Sequence, residues 1–186
     1  MNKLGNALLI FHKWQTCSVA FIAFFSTFFV TTSAAAQSCV VGIPESNPNA
    51  AYSVSGASVT DSRTALIWDQ CPWGLSGGSC GTGSAGSFSW RDALSVVSIA
   101  NASTYNGASD WRLPNLKELR SLAEECRVSP SINSTNFPNT PAADFWTNSL
   151  TQIYADSAWV VDFARGDVFA AARITLARVR LVRGGR

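Results

Sequence analysis

Histidine is almost absent from this chain of 186 residues, and His12 is the only one. It lies in an N-terminal segment that we expect to be removed. The remaining chain then has no imidazole, so neither a Ser-His-Asp triad nor a Cys-His pair can form. Zinc and copper sites that need histidine are excluded for the same reason. We therefore expect a protein that is not an enzyme and that holds no metal and no other cofactor.

Basic residues are few and are balanced by acidic ones. Loss of Lys3 and Lys13 with the N-terminal segment would reduce the 14 basic residues to 12, against 12 acidic ones. A domain with zero formal charge gives no general reason to bind nucleic acid. The chain also lacks a glycine-rich phosphate loop and the ligand spacing of a calcium loop. Nucleic acids are therefore not expected among its partners.

The N-terminal segment has the features of an export signal. Lys3 and Lys13 accompany an apolar run at 18–30, which has the length of a signal-peptide core and is short for a membrane span. Alanines at 34–36 form a small-residue cleavage pattern. We predict cleavage after Ala36, a secreted, periplasmic or cell-envelope location and no stable membrane span. An uncleaved anchor is the alternative.

Four cysteines follow the predicted cleavage point, and an even number in an exported chain predicts two disulfides. Cys71 and Cys80 flank a short loop and are expected to pair, which leaves Cys39 for Cys126. The long loop closed by the second pair would contribute on the order of 3–4 kcal/mol in the chain-entropy model. A four-cysteine metal site is the weaker alternative, because no Cys-x-x-Cys pair is present. Lipidation of Cys39 would leave one cysteine unpaired.

Apolar spacing predicts two helices followed by antiparallel strands. The helices, at 89–102 and 115–126, each begin with a polar capping residue that is followed three positions later by an acidic one. Strands are predicted at 59–68 (a hairpin), 145–149, 158–163 and from 168 onward. We expect an α+β fold with two helices on small antiparallel sheets and long loops. The predicted organisation is a signal peptide at 1–36, a lead-in segment at 37–58 and a domain at 59–186.

The segment at 110–119 contains the most informative motif. Trp111 has a large apolar body to bury, and Arg112 offers a planar fork of donors with Asp110 as a nearby acceptor. Pro114 ends the extended stretch before the second helix. We interpret the motif as structural, and a sugar stacking on Trp111 is the alternative.

Aromatic and basic residues supply the candidates for ligand binding. Five tryptophans are expected in the core, namely Trp68, Trp90, Trp111, Trp146 and Trp159. Trp73 lies in a Gly/Ser-rich loop and is the best exposed platform for a sugar ring. The stretch at 168–186 has arginines but no acidic residue, and Arg178 and Arg180 are predicted on one face of an edge strand. With Arg173 they would form a basic stripe for sulfate or carboxylate groups, unless they pair with scattered acids.

An ordered set of segments resembles one known family. The segments lie at 64–68 (TALIW), 90–93 (WRDA), 110–119 (DWRLPNLKEL), 137–140 (FPNT), 145–146 (FW), 158–163 (AWVVDF) and 179–185 (VRLVRGG). They are similar to the Lcl C-terminal domain family, also called domain of unknown function 1566, which takes its name from a collagen-like adhesin. The resemblance covers about residues 59–185. The resemblance implies a C-type-lectin-like fold, related to the formylglycine-generating and sulfatase-modifying proteins.

In the adhesin the domain is associated with binding sulfated glycans. The resemblance therefore implies an exported, non-enzymatic, adhesin-like module that recognises anionic or sulfated glycans at the cell surface. Trp73, Arg173, Arg178 and Arg180 are the expected contacts.

Two alternatives come from other lectin-fold proteins. Retroelement-diversified members vary their C-terminal surface, so the segment at 169–177 would bind a protein receptor. Enzymatic relatives use a reactive cysteine pair with copper, and the cysteines of this chain are better explained as bridges. The Glu-Pro-Asn triplet of calcium-dependent lectins is also missing.

Overall fold

Two α-helices and three small antiparallel sheets make up the part of the chain that the structure describes, residues 38–184 of a computed structural model. These residues belong to one compact unit, Ala35–Arg186. The architecture is α+β with long loops, as the sequence predicts. The predicted signal peptide at 1–36 lies outside the described residues. Between residues 38 and 184, no helix is both long and apolar enough to cross a bilayer.

The first sheet has four strands in the order β1-β2-β3-β9. Its strands are β1 (Tyr52–Ser55), β2 (Ser58–Asp61), β3 (Ile67–Asp69) and β9 (Val182–Arg183). The hairpin predicted at 59–68 corresponds to β2 and β3, which pair antiparallel. A two-stranded sheet of β4 (Leu75–Ser76) and β5 (Thr82–Gly83) follows. Strand β4 lies in the loop that the Cys71–Cys80 disulfide closes, and β5 comes just after it.

The third sheet has the order β6-β7-β8 and consists of β6 (Asp144–Leu150), β7 (Ser157–Asp162) and β8 (Asp167–Ala172). Both neighbouring pairs are antiparallel. Residues on alternate sides of β7 join two different cores. Val161 packs in a cluster with Phe145 and Phe163, whereas Ala158 and Val160 pack in the cluster of Trp111 and Trp146. The sheet therefore separates the two cores.

Helix α1 (Trp90–Ala102) begins as predicted, with the Ser89 side chain accepting a hydrogen bond from the Asp92 amide. Helix α2 is much shorter than predicted, ending at Arg120 instead of 126. The residues that would extend the helix bond instead to a later part of the chain. Ala123 forms a β-bridge with Ile132, and the Glu124 amide donates to the Ser131 carbonyl. The prediction of helix to 126 was wrong because these contacts are invisible to local periodicity.

The C-terminal segment at 177–183 runs through the interior and is not an edge strand. Val179, Leu181 and Val182 are fully buried, and so is Arg180. The segment forms bridges with Phe88, Arg112 and Phe145, and it completes the first sheet through β9. The prediction of an exposed strand with arginines on one face was therefore wrong, since the segment is buried on both sides.

Two disulfides and three tryptophans hold the interior together. Cys39 is bonded to Cys126 and Cys71 to Cys80, the pairs that the sequence favours. The first bond ties the lead-in segment to the turn after α2. The tryptophans Trp68, Trp111 and Trp146 are fully buried, whereas Trp90 and Trp159 are only partly buried. The expectation that all five would be core was wrong for the last two.

Candidate ligand-binding site

The motif at 110–119 is structural, and we call it the latch. Its central contact is a pair of hydrogen bonds from Arg112 to the Glu118 carboxylate. The Arg112 guanidinium donates to both Glu118 oxygens, at 2.7 and 2.9 Å, and also to the Gly184 carbonyl. Burial opposes ionisation of Glu118, but hydrogen bonds from Arg112 and the Asn115 amide outweigh it and lower its pKa. Asp110, the predicted acceptor, is instead exposed and lies 3.8 Å from Arg183.

Trp111 and Pro114 complete this latch from the buried side. The Trp111 indole N–H donates to the Tyr105 carbonyl at 2.7 Å, and Asn101 bonds both main-chain groups of Trp111. Pro114 is buried and its carbonyl accepts from the Asn148 amide. Because the Trp111 ring is 2% exposed, no sugar can stack on it.

Arg180, predicted to contact the ligand, is instead a structural arginine. Its guanidinium donates to the carbonyls of Asp69 and Gln70 and, at 2.6 Å, to the Thr140 hydroxyl. The guanidinium carbon lies 5.0 Å from the centre of the Phe137 ring. Since the side chain is completely buried, the prediction that it binds a surface ligand was wrong.

The charge that faces Arg180 is Asp69, which sequence reasoning did not single out. Burial raises the Asp69 pKa to about 7, although Arg180, Tyr105 and Asn106 favour its ionised form. Burial also lowers the Arg180 pKa to about 10. The Asn106 amide donates to one Asp69 oxygen at 3.2 Å. The hydrogen bonds from Arg180 to the Asp69 and Gln70 carbonyls couple β3 to the C-terminal segment, which is far away in sequence.

The other predicted contacts do not share one surface. Arg178 donates to the Ala85 carbonyl and lines a cavity of about 320 Å³ together with Asp144 and Asp162. Burial, and then repulsion from Asp162, raise the pKa of Asp144. Trp73 is partly buried and its ring centre lies 4.9 Å from that of Tyr105, beside a separate cavity of about 290 Å³. The structure thus does not assemble the predicted basic stripe.

Arg173 lies in a larger pocket, of about 650 Å³, between the start of α1 and the loop after β8. We call it the Trp90 pocket, and its lining consists of Ser89, Trp90, Arg91, Asp156, Ala172, Arg173 and Ile174. The two segments are held together by the Trp90 amide, which donates to the Arg173 carbonyl at 2.9 Å.

Cationic and apolar groups meet in the Trp90 pocket. The Arg173 guanidinium carbon lies 5.7 Å from the centre of the Trp90 ring, and Arg173 also pairs with Asp156 at 3.1 Å. The Trp90 indole N–H donates to the Thr147 carbonyl, which fixes the ring. Arg91 is exposed, and its guanidinium has no hydrogen bond or ion pair with any residue of 38–184. The arrangement suits an anionic ligand with an apolar face.

Exposed apolar side chains occur in the two chain segments that contribute Asp156 and Arg173 to the Trp90 pocket. Ile174 is 86% exposed, and Phe169 and Leu176 lie on either side of it along the chain. Ile153 and Tyr154 are exposed in the loop before β7, which is joined to Arg173 through the Asp156 carbonyl. The sequence analysis missed Arg91, and it included Ile174 only within the segment at 169–177 that was considered for a protein receptor. The predicted start of α1 was the available signal for Arg91, but only the tertiary structure brings it to Arg173.

One group of side chains has the composition of a metal site. Cys39, Glu124 and Cys126 offer ligand atoms within 4.8 Å of one another, the one such group in the described part of the chain. The two sulfurs are bonded to each other. The Glu124 carboxylate accepts from Ser46 and from the Asn47 amide, so burial of Glu124 is offset and its pKa is lowered. The group is structural, because it holds the lead-in segment against the turn after α2.

Comparison with known proteins places the chain in a family. No curated protein matches the chain. The model of one family, described as the Lcl C-terminal domain, matches residues 57–183. The match covers more than half of the chain and includes the motif at 110–119, the Cys71–Cys80 disulfide and the lining of the Trp90 pocket. The chain therefore belongs to the Lcl C-terminal domain family.

Proposed function

We propose that this protein is an exported, non-enzymatic binding module that recognises anionic glycans, in particular sulfated ones, through the Trp90 pocket. The observation that carries the proposal is the placement of Arg91, which has no described partner, beside Arg173 and a fixed indole ring. The two disulfides support export, because such bonds persist in oxidising compartments.

The chemistry of the pocket fits a sulfated sugar. A guanidinium donates two parallel hydrogen bonds to a sulfate or carboxylate group. The indole of Trp90 and the side chain of Ile174 offer apolar surface for the C–H face of a sugar ring. Asp156, which is almost fully exposed, neutralises Arg173 in the free protein, so an anionic ligand competes with it. Arg91 is therefore the cation best placed to contribute net affinity.

The pocket offers little for catalysis. Its ionisable side chains are Arg91, Arg173 and Asp156. The Ser89 hydroxyl donates to Asp92 and accepts from the Asp92 amide, so it serves as a helix cap. The rival function is an enzyme of the formylglycine-generating type, which needs reactive cysteines. Thiol counting on the purified protein separates the two, since we expect no free thiol among Cys39, Cys71, Cys80 and Cys126.

The experiment is a binding titration with immobilised heparin at rising salt. We expect binding at low salt that falls steeply as salt rises, because exposed charges are screened. R91A should weaken binding at least about tenfold, since hydrogen bonds to charged groups contribute about 1.5–3 kcal/mol. R165A is the matched control, because Arg165 is an exposed arginine in the turn before β8. Absence of binding at low salt, or equal losses in both variants, would reject the proposal.

A second candidate function is recognition of a protein, and the exposed apolar residues favour it. Ile174, Leu176 and Phe169 are exposed apolar side chains of one segment, and Leu176 and Phe169 lie outside the lining of the Trp90 pocket. Replacing Leu176, which does not line the Trp90 pocket, by serine should leave heparin binding within about twofold if the exposed apolar residues serve a protein. A loss as large as that of R91A would assign Leu176 to the glycan site.

A further inference from the structure

Strand β8 is the outer strand of the third sheet, and nothing in residues 38–184 pairs with its free edge. The sheet order is β6-β7-β8, so β8 contacts β7 on one side only. The opposite edge of the sheet is covered, because the main chain of Arg178 bonds to Asp144 and Trp146 of β6. The β6 edge of this sheet is therefore covered by the chain, whereas the β8 edge is free.

The direction of the β8 main-chain groups follows from the antiparallel pairing. The Arg173 amide donates to the Asp156 carbonyl, so residue 173 bonds toward β7. Because bonding directions alternate along a strand, the N–H and C=O groups of Val168, Ala170 and Ala172 are directed away from β7. The Ala172 carbonyl accepts from the Thr175 amide. The groups of Val168 and Ala170 remain available.

The β8 edge also lacks the usual protection against strand pairing. Its six residues contain no lysine and no proline, and the register with β7 is continuous without a bulge. Natural proteins generally use such devices to block exposed edges. Asp167, which pairs with the exposed Arg165 of its own chain, stands at one end of the strand, and Arg173, which pairs with the exposed Asp156, follows the other end. Opposite charges at the two ends make the edge complementary to itself in an antiparallel arrangement.

We propose that β8 pairs antiparallel with β8 of a second copy of this chain. In the register that we infer, Ala170 lies opposite Ala170 of the partner subunit across the two-fold axis, and Val168 lies opposite Ala172 of the partner subunit. These are the residues whose main-chain groups are directed outward. The Ala172 carbonyl already accepts from Thr175, and its second lone pair would accept from the partner's Val168. The same register places Asp167 opposite Arg173 of the partner subunit, once on each side of the axis, and the large Phe169 opposite the small Ala171 of the partner subunit.

The dimer has a geometric consequence for the Trp90 pocket. The two-fold axis of an antiparallel strand pair is perpendicular to the sheet, so both pockets open on the same face. Six residues separate Asp167 from Arg173, so at a rise of about 3.4 Å per residue the two pockets lie about 20 Å apart. The partner's Asp167 would lie beside Arg173, which leaves Arg91 as the main cation for a ligand. Binding of one polymer by both pockets rests on the proposed function, whereas dimerisation does not.

Sedimentation velocity over a range of protein concentrations tests the dimer. An edge-strand contact is smaller than a standard interface, so we expect a reversible dimer with a dissociation constant in the micromolar range. D167R should weaken the dimer roughly tenfold or more, because it places like charges opposite each other twice. The charge-swapped variant D167R/R173D should restore it. D110R is the matched control, since Asp110 is an exposed acid in the latch.

A pair of proline variants tests the direction of the main-chain groups. A170P removes an N–H that is directed outward, so it should abolish the dimer while the melting temperature stays close to that of the unchanged protein. A171P removes an N–H that bonds to β7, so it should lower the melting temperature.

A protein that is monomeric up to millimolar concentration would overturn the proposal, and so would a dimer insensitive to both D167R and A170P. Heparin binding that requires Arg91 in a strictly monomeric protein would reject the dimer and retain the proposed function. A dimer without heparin binding would retain the dimer and reject the proposed function.

Discussion

Arg180 and Arg173 come from the same arginine-rich stretch, and both lie over an aromatic ring, yet the fold uses them in opposite ways. Arg180 is completely buried and donates to two main-chain carbonyls and a hydroxyl. Arg173 is partly exposed and lines the Trp90 pocket. An arginine whose donors are all engaged inside the protein stabilises the fold. One that reaches solvent beside an unpaired Arg91 is available to a ligand.

The largest expected effect is loss of stability in R180A. The substitution leaves the buried carbonyls of Asp69 and Gln70 and the Thr140 hydroxyl without their donor. Each buried polar group left unsatisfied costs about 1–3 kcal/mol, so we expect a loss of about 3–5 kcal/mol. Urea denaturation measures the free energy of unfolding, and R173A, the control, should lose less than about 1 kcal/mol. Equal losses in the two variants would contradict the contrast between them.

The next effect is a fall in stability as pH rises, caused by Asp69. Its pKa is raised from 3.8 to about 7 by burial, so the folded state favours the protonated form. The contribution of Asp69 to the free energy of unfolding is fully present below its unfolded pKa of 3.8 and is lost as pH rises through about 7. A shift of this size corresponds to on the order of 4 kcal/mol. Melting temperature against pH should show this slope, and D69N should flatten it. If D69N keeps the same slope, the pH dependence of the melting temperature comes from other groups.

Glu118 should give a smaller effect of opposite sign. Its pKa is lowered, so its contribution is present above the ordinary value of 4.5 and is lost as pH falls through the folded value. The group is partly exposed, so solvent screening reduces the effect. We expect E118Q to cost about 1–2 kcal/mol at neutral pH through weaker hydrogen bonds to Arg112 and Asn115. A urea titration that shows no loss would mean that the latch does not contribute to stability.

The smallest expected change in stability is that of R91A. Arg91 is exposed, and its guanidinium makes no hydrogen bond or ion pair with the residues from 38 to 184. Its loss should alter the free energy of unfolding by less than about 0.5 kcal/mol. Differential scanning fluorimetry checks this against R180A. A large drop in the melting temperature of R91A would show that the pocket, like the interior, is built for stability.

Features that depend on neighbouring residues could be predicted from the sequence. The caps at Ser89 and Asn115 follow from a polar residue with an acidic one three positions on. Burial of Trp111 follows from its large apolar surface, and the Cys71–Cys80 bond follows from a short loop. With these two joined, the remaining pair could only be Cys39–Cys126. The two-helix, antiparallel α+β fold follows from the same local patterns.

Features that depend on distant residues could not be predicted. Arg180 is held by Asp69, which lies 111 residues away in sequence. An alternating Arg-Val-Arg-Leu pattern is equally compatible with an edge strand and with a buried segment, and only the bridges to Phe88, Arg112 and Phe145 decide between them. The Trp90 pocket likewise joins the start of α1 to the loop after β8. Arg91 could be placed on a helix, but its nearness to Arg173 could not.

The most direct test of the account follows the indole N–H signals by NMR while a sulfated heparin oligosaccharide is added. Each tryptophan gives one such signal, and substitution by phenylalanine assigns it. We predict that the Trp90 signal shifts in a saturable, salt-sensitive way, that R91A suppresses the shift, and that the signals of the buried Trp68, Trp111 and Trp146 stay in place. A saturable shift of Trp73 with Trp90 unmoved would contradict the assignment of the binding site.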